Sequence, residues 1–320
     1  MRIVIAFGGN ALIREDERGT WTEQTAHAIV AAKAIARVAR AHEVVLTHGN
    51  GPQVGALALQ QAGGEPDAPA LPFDVLDAMT QGEIGYLLQQ ALNAVDPSLP
   101  TATILTRVRV NPEDPALTGT PTKPIGPFYD EPTARRLAAE RGWQVGPDAG
   151  RGWRRMMPSP QPVEIVELHE IEVLAGAGVL VIAGGGGGIP VVRRAAGLEG
   201  IDAVIDKDRC AAELAAAIGA DLLVLVTGVD RAALGFGTPD QRAIVRLTVS
   251  DALRHLDAGE FPPGSMGPKI EGAARFAGGG GRAVITDAAH VATALDGEAG
   301  TWIVPDAEGP SVLERPAVAV

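Results

Sequence analysis

The chain has 320 residues, 46% of them hydrophobic and 4% aromatic, enough for a sizeable core arranged as one large α/β domain or two lobes. A net charge of −12 argues against nucleic acid or an acidic membrane as a bulk partner, yet leaves room for a locally positive pocket. Cys210 is the only cysteine, so no intramolecular disulfide can form, and no apolar run is long enough to span a bilayer. The N-terminus enters a strand directly, with no hydrophobic leader, and a cytoplasmic protein is expected.

In chain order, Ile3–Phe7 reads as a strand, followed by the turn Gly8-Gly9-Asn10. Apolar residues at helical spacing predict a helix over Thr25–Ala41, and Val44–Thr47 reads as a second strand. Gly49-Asn50-Gly51-Pro52 then opens an amphipathic segment, with Pro52 suited to the first helical position. A long helix is expected over Val75–Val95, with Val75, Met79, Leu87, Leu88, Ala91, Leu92 and Val95 on its apolar face, then a strand over Ala102–Val110. This βαβαβ order favours a mostly parallel sheet covered on both faces. The segment Asn111–Pro162 departs from it: ten of the chain's 24 prolines fall there, and the tryptophans Trp143 and Trp153 favour an ordered lid with a helix near Thr133–Arg141.

A short helix (Ile171–Ala177) and strand (Val179–Ala183) lead into five glycines, Gly184–Gly188, read as a backbone cradle because apolar strand residues flank them. Asp206-Lys207-Asp208 emerges from an apolar run, with a helix over Ala211–Ile218 and a strand over Leu222–Val226. Further expectations are helices at Leu253–Leu256 and Ile270–Phe276, a strand at Ala283–Thr286, an edge strand at Trp302–Val304 and a loose tail from Pro305.

Two strand–glycine–helix turns leave amides open to an anion, though each alone also reads as an ordinary tight turn. Of 27 basic residues only four are lysines: Lys33, Lys123, Lys207 and Lys269. Lys33 lies in a helical pattern and reads as a solvated face residue. The other three occupy unusual contexts, and a compact ammonium differs chemically from a guanidinium fork. No Walker-type phosphate loop, dinucleotide glycine pattern, zinc grouping or hydrolase elbow occurs. Glycine turns, lysines and an acidic pair together suit phosphoryl transfer, where catalysis is mostly positioning and charge neutralisation. Asp208 could hold Lys207 or Lys269 in place, or bind Mg²⁺ with the nucleotide.

The sequence resembles carbamate kinase of the amino acid kinase superfamily over nearly its whole length. The resemblance rests on Ala6–Leu12, His48–Gly55, Met79–Tyr86, Pro121–Phe128, Asp148–Arg155, Gly185–Val192, Ala203–Asp208, Thr227–Asp230 and Gly264–Glu271, with the lid motifs around Lys123 and Trp153 specific to it. It implies an open three-layer αβα sandwich with a protruding lid, a homodimer and a place in arginine metabolism. It also implies reversible transfer between MgATP and carbamate to give ADP and carbamoyl phosphate, with ATP synthesis as the working direction. The implied lobes are 1–209, with the lid at about 111–162, for carbamate, and 210–320 for the nucleotide. By motif, Gly8, Gly9, Asn10, Gly49, Asn50 and Gly51 should cradle the transferred group. Lys123 should reach down from the lid, and Lys207 and Lys269 should flank the phosphoryl group, organised by Asp208. Gly228, Val229, Asp230, Met266 and Gly267 should lie near the nucleotide with Lys269, and Phe236 should stack on adenine. No side chain is assigned as a metal ligand. Thr238 stands where a lysine is usual, removing a possible phosphate or ribose contact. Carbamate is already anionic, so no general base is expected, and His48 reads as a structural hydrogen-bonder. The alternatives are a kinase of the same superfamily acting on another small acid, and a non-catalytic sensor of carbamoyl phosphate or nucleotide.

Overall fold

The computed structural model of the chain describes residues 1–8, 12–13, 17–64, 68–148, 152–262 and 264–313, apart from the side chains at 62 and 64. The chain opens with β1 (Arg2–Phe7), α1 (Trp21–Ala39), β2 (Glu43–His48), α2 (Gly51–Gly64), α3 (Phe73–Val95) and β3 (Thr101–Thr103). Thr20 and Glu23 cap α1 reciprocally: the Glu23 amide donates to the Thr20 hydroxyl, and the Thr20 amide to the Glu23 carboxylate at 2.7 Å. Then come β4 (Arg107–Val110), α4 (Pro115–Thr118), β5 (Lys123–Tyr129), α5 (Glu131–Arg141), β6 (Val145–Pro147), β7 (Trp153–Met157), β8 (Pro162–Ile165), α6 (Leu168–Gly176), β9 (Leu180–Ile182), β10 (Ile189–Arg194) and β11 (Gly197–Gly200). The last third holds α7 (Lys207–Ala217), β12 (Leu222–Thr227), β13 (Ala233–Leu234), β14 (Arg242–Thr248), α8 (Val249–Asp257), α9 (Met266–Gly278), β15 (Arg282–Asp287), α10 (Val291–Leu295), β16 (Thr301–Val304) and β17 (Val312–Leu313).

One sheet crosses the molecule in the order β13-β14-β16-β15-β12-β1-β2-β9-β3, with β17 added to β14. Its centre is parallel, and Phe7 stands opposite both His48 and Val226, so the strands end level and the residues after them share one edge. Strands β1, β2 and β12 are buried on both faces, as parallel strands covered by helices must be. One apolar layer joins the sheet to α1 and α3 through Ile35, Leu88 and Leu92, and the other joins it to α7 and α9 through Leu214 and Ile270. The result is the expected three-layer αβα sandwich.

The lid folds as a three-stranded antiparallel sheet, β5-β7-β6, carrying α5. Its apolar content is small (Ile125, Ala134, Leu137 and Met157 are buried), and arginines stacked on aromatic rings supply the rest. Arg135 lies 5.0 Å from the Trp153 ring, Arg155 5.1 Å from Trp143, and Arg154 4.9 Å from Phe128.

Three expectations are corrected. The single strand over Ala102–Val110 is two, in different sheets, because the Gln81 side chain takes the place of a ladder partner: it accepts from the Thr106 amide at 2.7 Å and donates to its carbonyl at 3.1 Å. Trp302–Val304 is no edge, since β16 lies between β15 and β14. That strand, β14, is one the sequence reading passes over. The tail is docked as far as 313: Ser250 and Asp306 are hydrogen-bonded, Arg246 donates to the Pro310 carbonyl at 2.8 Å, and Ser311 donates to Asp251 at 2.6 Å.

Candidate active site

The site grows from the start of α7. Asp206 caps the helix, its carboxylate accepting from the amides of Asp208 at 2.9 Å and Arg209 at 3.3 Å. Lys207 and Asp208 are therefore the first two helical residues, earlier than the expected start at Ala211. Lys269 comes from α9, which packs closely on α7: a side chain at Gly272 would run into the Asp208 carbonyl. The two lysines meet on one carboxylate, Lys207 on one oxygen of Asp208 and Lys269 on the other at 3.0 Å. All three are largely buried, with 13% of the Lys207 side chain still exposed.

Burial lowers the Lys207 pKa to about 8, opposed by the charge of Asp208 and reinforced by that of Lys269. Burial also works against the Lys269 ammonium, but Asp208 outweighs it and the pKa rises. For Asp208, burial favours the neutral acid, yet the two ammonium groups hold its pKa below the ordinary carboxylate value. Lys123, from the first residue of β5, pairs with Asp206. Burial of that carboxyl is likewise outweighed, by Lys123 and Lys207, and its pKa is lowered. So three of the four lysines converge on two carboxylates two residues apart, while Lys33 is exposed on α1 as expected.

The lid is placed by a glycine contact. A Cβ on Gly55 of α2 would lie 2.0 Å from the Gly126 α-carbon, and Gly126 itself has φ +73°. Only two bare backbones can approach so closely. The Arg154 guanidinium secures the same strand, donating to the Gly126 carbonyl at 2.8 Å and pairing with Asp148 at 3.0 Å.

At the ends of β1 and β2, Gly8 and Gly49–Gly51 lie side by side, the Gly49 amide donating to the Phe7 carbonyl at 2.9 Å. Gly9 and Asn10 lie outside the described residues. The five-glycine run, expected as a backbone cradle, packs on protein along the side that an added Cβ would take. It forms a tight turn with φ positive at Gly184, Gly186, Gly187 and Gly188, but added side chains would meet protein: His48 at Gly185, Asn50 at Gly186, Ile205 at Gly187 and Val108 at Gly188. His48 is buried against the run, and burial lowers its pKa to about 4, which suits the structural role expected of it.

The nucleotide candidates lie on loops at the same edge. Gly228 and Val229 follow β12, and Val229 is exposed. The Asp230 carboxylate is engaged by the Gly300 amide at 3.1 Å and the Thr286 hydroxyl at 3.3 Å. Phe236 is 64% exposed at the turn before β14, where Thr238 closes the turn on the Gly235 carbonyl at 2.7 Å. Met266 and Gly267 begin α9.

The first half of α3 carries residues that sequence reasoning left without a role. Met79, expected in the apolar face, is 40% exposed, while Asp77, Thr80 and Gln81 are buried. That end of the helix faces the glycine turns: Asn50 donates to Asp77 at 3.0 Å and to Thr80 at 2.9 Å, and Gln81 donates to the Gly185 carbonyl at 2.9 Å. Polar residues interrupting an apolar stripe were the available signal.

A profile described as the Amino acid kinase family matches residues 1–287. The carbamate kinase of Thermococcus kodakarensis is 46% identical over 312 residues, covering 95% of this chain and 99% of that protein. This chain belongs to the amino acid kinase family, among the carbamate kinases. A carbamate kinase of Rhizobium meliloti is also 46% identical, covering 95% of this chain and 93% of its own. Among solved structures, the carbamate kinase of Giardia lamblia bound to AMP-PNP matches at 40% identity and a TM-score of 0.87, covering 95% of this chain and 98% of the other. Among the described residues, no helix is long and apolar enough to cross a membrane.

Proposed function

We infer that this chain is a carbamate kinase, catalysing reversible phosphoryl transfer between ATP and carbamate with carbamoyl phosphate and ADP as the other pair. The observation that carries the reading is the sharing of one buried carboxylate by Lys207 and Lys269 at the strand ends. A phosphoryl group in flight spreads negative charge over its equatorial oxygens, and two fixed ammonium groups meet that charge with no reorganisation. Asp208 keeps both lysines charged and prevents their mutual repulsion from driving them apart. The amides after β1 and β2 would hold the acyl phosphate, and Lys123 would close over it from the lid. A nucleotide is proposed at Gly228–Asp230, Phe236 and Met266–Lys269; the Giardia relative is described as bound to AMP-PNP.

Mg²⁺ is proposed to arrive with the nucleotide. Both oxygens of Asp208 already accept from lysines, and among the described residues no group of three or more acidic, histidine or cysteine side chains could hold a metal. That donor set fits an ion held by phosphate oxygens and water, where it would neutralise charge between the phosphates. The carbamate and nucleotide lobes, 1–209 and 210–320, are likewise a proposal, as are a cytoplasmic location and a place in arginine metabolism. A homodimer is also proposed, through Met79 and Tyr86 on α3 and Leu105 beyond β3, all large, apolar and exposed.

The deciding experiment is a coupled assay of ATP formation from ADP and carbamoyl phosphate, with acetyl phosphate in parallel and acetate, glutamate and aspartate tested against carbamate in the other direction. Turnover with carbamoyl phosphate alone is expected. Turnover only with another acid would assign the chain to a different substrate, and binding without turnover would make it a sensor.

A further inference from the structure

We propose that Asn50 selects the substrate by accepting a hydrogen bond from its acyl N–H, its amide being locked for that task by Thr80 and Asp77. The inference rests on the carbamate kinase reading and specifies how that site tells a carbamoyl group from an acetyl group.

The lock follows from counting protons. The Thr80 hydroxyl has one hydrogen, and it lies on the Asp77 carbonyl at 2.9 Å. Toward Asn50, at 2.9 Å, that oxygen can then only accept, so the atom facing it is the amide nitrogen. The second amide hydrogen lies on the Asp77 carboxyl at 3.0 Å. A flipped amide would turn its oxygen onto the Asp77 oxygen and would require the hydroxyl to abandon its carbonyl. The Thr80 hydroxyl therefore sets the orientation as long as its hydrogen stays on the Asp77 carbonyl; burial raises the Asp77 pKa, opposed by the hydrogen bond from Asn50. The plane is fixed as well: a Cβ on Gly186 would fall 2.4 Å from the amide nitrogen, so the glycine backbone packs directly against the group.

Both donors of Asn50 are thus turned into α3, and Oδ1 receives no hydrogen bond from the described residues. Asn50 itself sits in the turn after β2, beside the amides proposed to hold the acyl phosphate. What this position offers a ligand is a single fixed acceptor. Carbamate and carbamoyl phosphate carry an N–H that satisfies it. Acetate and acetyl phosphate place a methyl there and leave the acceptor bare, which disfavours them. Thr80 and Asp77 are positioning residues; neither needs to touch the substrate.

The test measures, in the ADP-to-ATP direction, the KM for carbamoyl phosphate and the inhibition constant of acetyl phosphate, in wild type, Thr80→Val and Thr80→Ser. The ratio of inhibition constant to KM reports discrimination even when acetyl phosphate does not turn over. Thr80→Val removes the acceptor that orients the amide, and the ratio is expected to fall at least tenfold, through a higher KM for carbamoyl phosphate with the KM for ADP unchanged. Thr80→Ser keeps the hydroxyl and is expected to keep the ratio. Should Thr80→Val fail to fold, Thr80→Ala carries the same expectation. A ratio unchanged in Thr80→Val, or one that falls equally in Thr80→Ser, overturns the proposal while the kinase assignment stands. Absence of carbamoyl phosphate turnover in wild type overturns the assignment and this proposal together.

Discussion

Two sets of lysines meet in the same cleft, and they are held in different ways. Lys207 and Lys269 come from α7 and α9, helices packed so closely that Gly272 has no room for a side chain. Lys123 comes from a small three-stranded sheet braced by arginines on aromatic rings and seated on the body through the Gly55–Gly126 contact and the packing of Ile125 and Met157 with Val54, Phe73 and Leu76. The first pair is part of the rigid body and suited to charge neutralisation in the reacting geometry. The third belongs to a lid sheet separate from the central one and, on the proposed function, is suited to capturing substrate and closing over it. The difference teaches that three lysines gathered at two carboxylates can be held on elements of very different kind; on the proposed function, that difference divides them between chemistry and access.

The sharpest way to break this division is Lys207→Ala. The account predicts a fall in kcat of about 10²–10³, the size associated with losing one preorganised donor, with circular dichroism and melting close to wild type. Lys207 also supplies a pH test. Its folded pKa is about 8, and the ammonium is the form that meets phosphate, so activity is present below that pH and lost above it. The profile of kcat/KM, which reads the free enzyme, should bend downward near pH 8 and fall about tenfold per further unit. A flat profile to pH 10 would remove Lys207 from the mechanism. Gly55→Ala probes the lid alone. Its added methyl meets the Gly126 backbone, so the lid must shift; the KM for carbamoyl phosphate should rise about tenfold, with kcat changed less. An unchanged KM would show that the seat of the lid does not matter for capture.

Much of this was legible in the sequence, and the reasons differ by region. The central strands are continuous apolar runs, and the glycine turns follow them directly, so the parallel sheet and the edge where those turns gather could be read. The scarcity of lysine separated Lys123, Lys207 and Lys269 from the general surface charge, and Lys33 fell on the exposed face its helical spacing suggested. What could not be read depends on contacts between distant residues. Whether Gly184–Gly188 surrounds a ligand or packs on His48 and Asn50 is a matter of what lies across a gap, and no local pattern records it. The buried polar residues at the start of α3 acquire a place only once Asn50 stands opposite Asp77 and Thr80. Strand β14 and the tail were missed because their order comes from distant partners, β16 beside β14 and, for the tail, the bonds of Arg246 to Pro310 and Ser311 to Asp251, between segments that are unremarkable alone.

The most direct measurement is the steady-state kinetics of Lys269→Ala and Lys123→Ala, side by side with wild type, forming ATP from ADP and carbamoyl phosphate. With Lys269 replaced, kcat should collapse by about 10²–10³ while KM stays within a few-fold; with Lys123 replaced, KM should carry most of the loss. Near-normal turnover without the Lys269 ammonium would contradict the account at its centre.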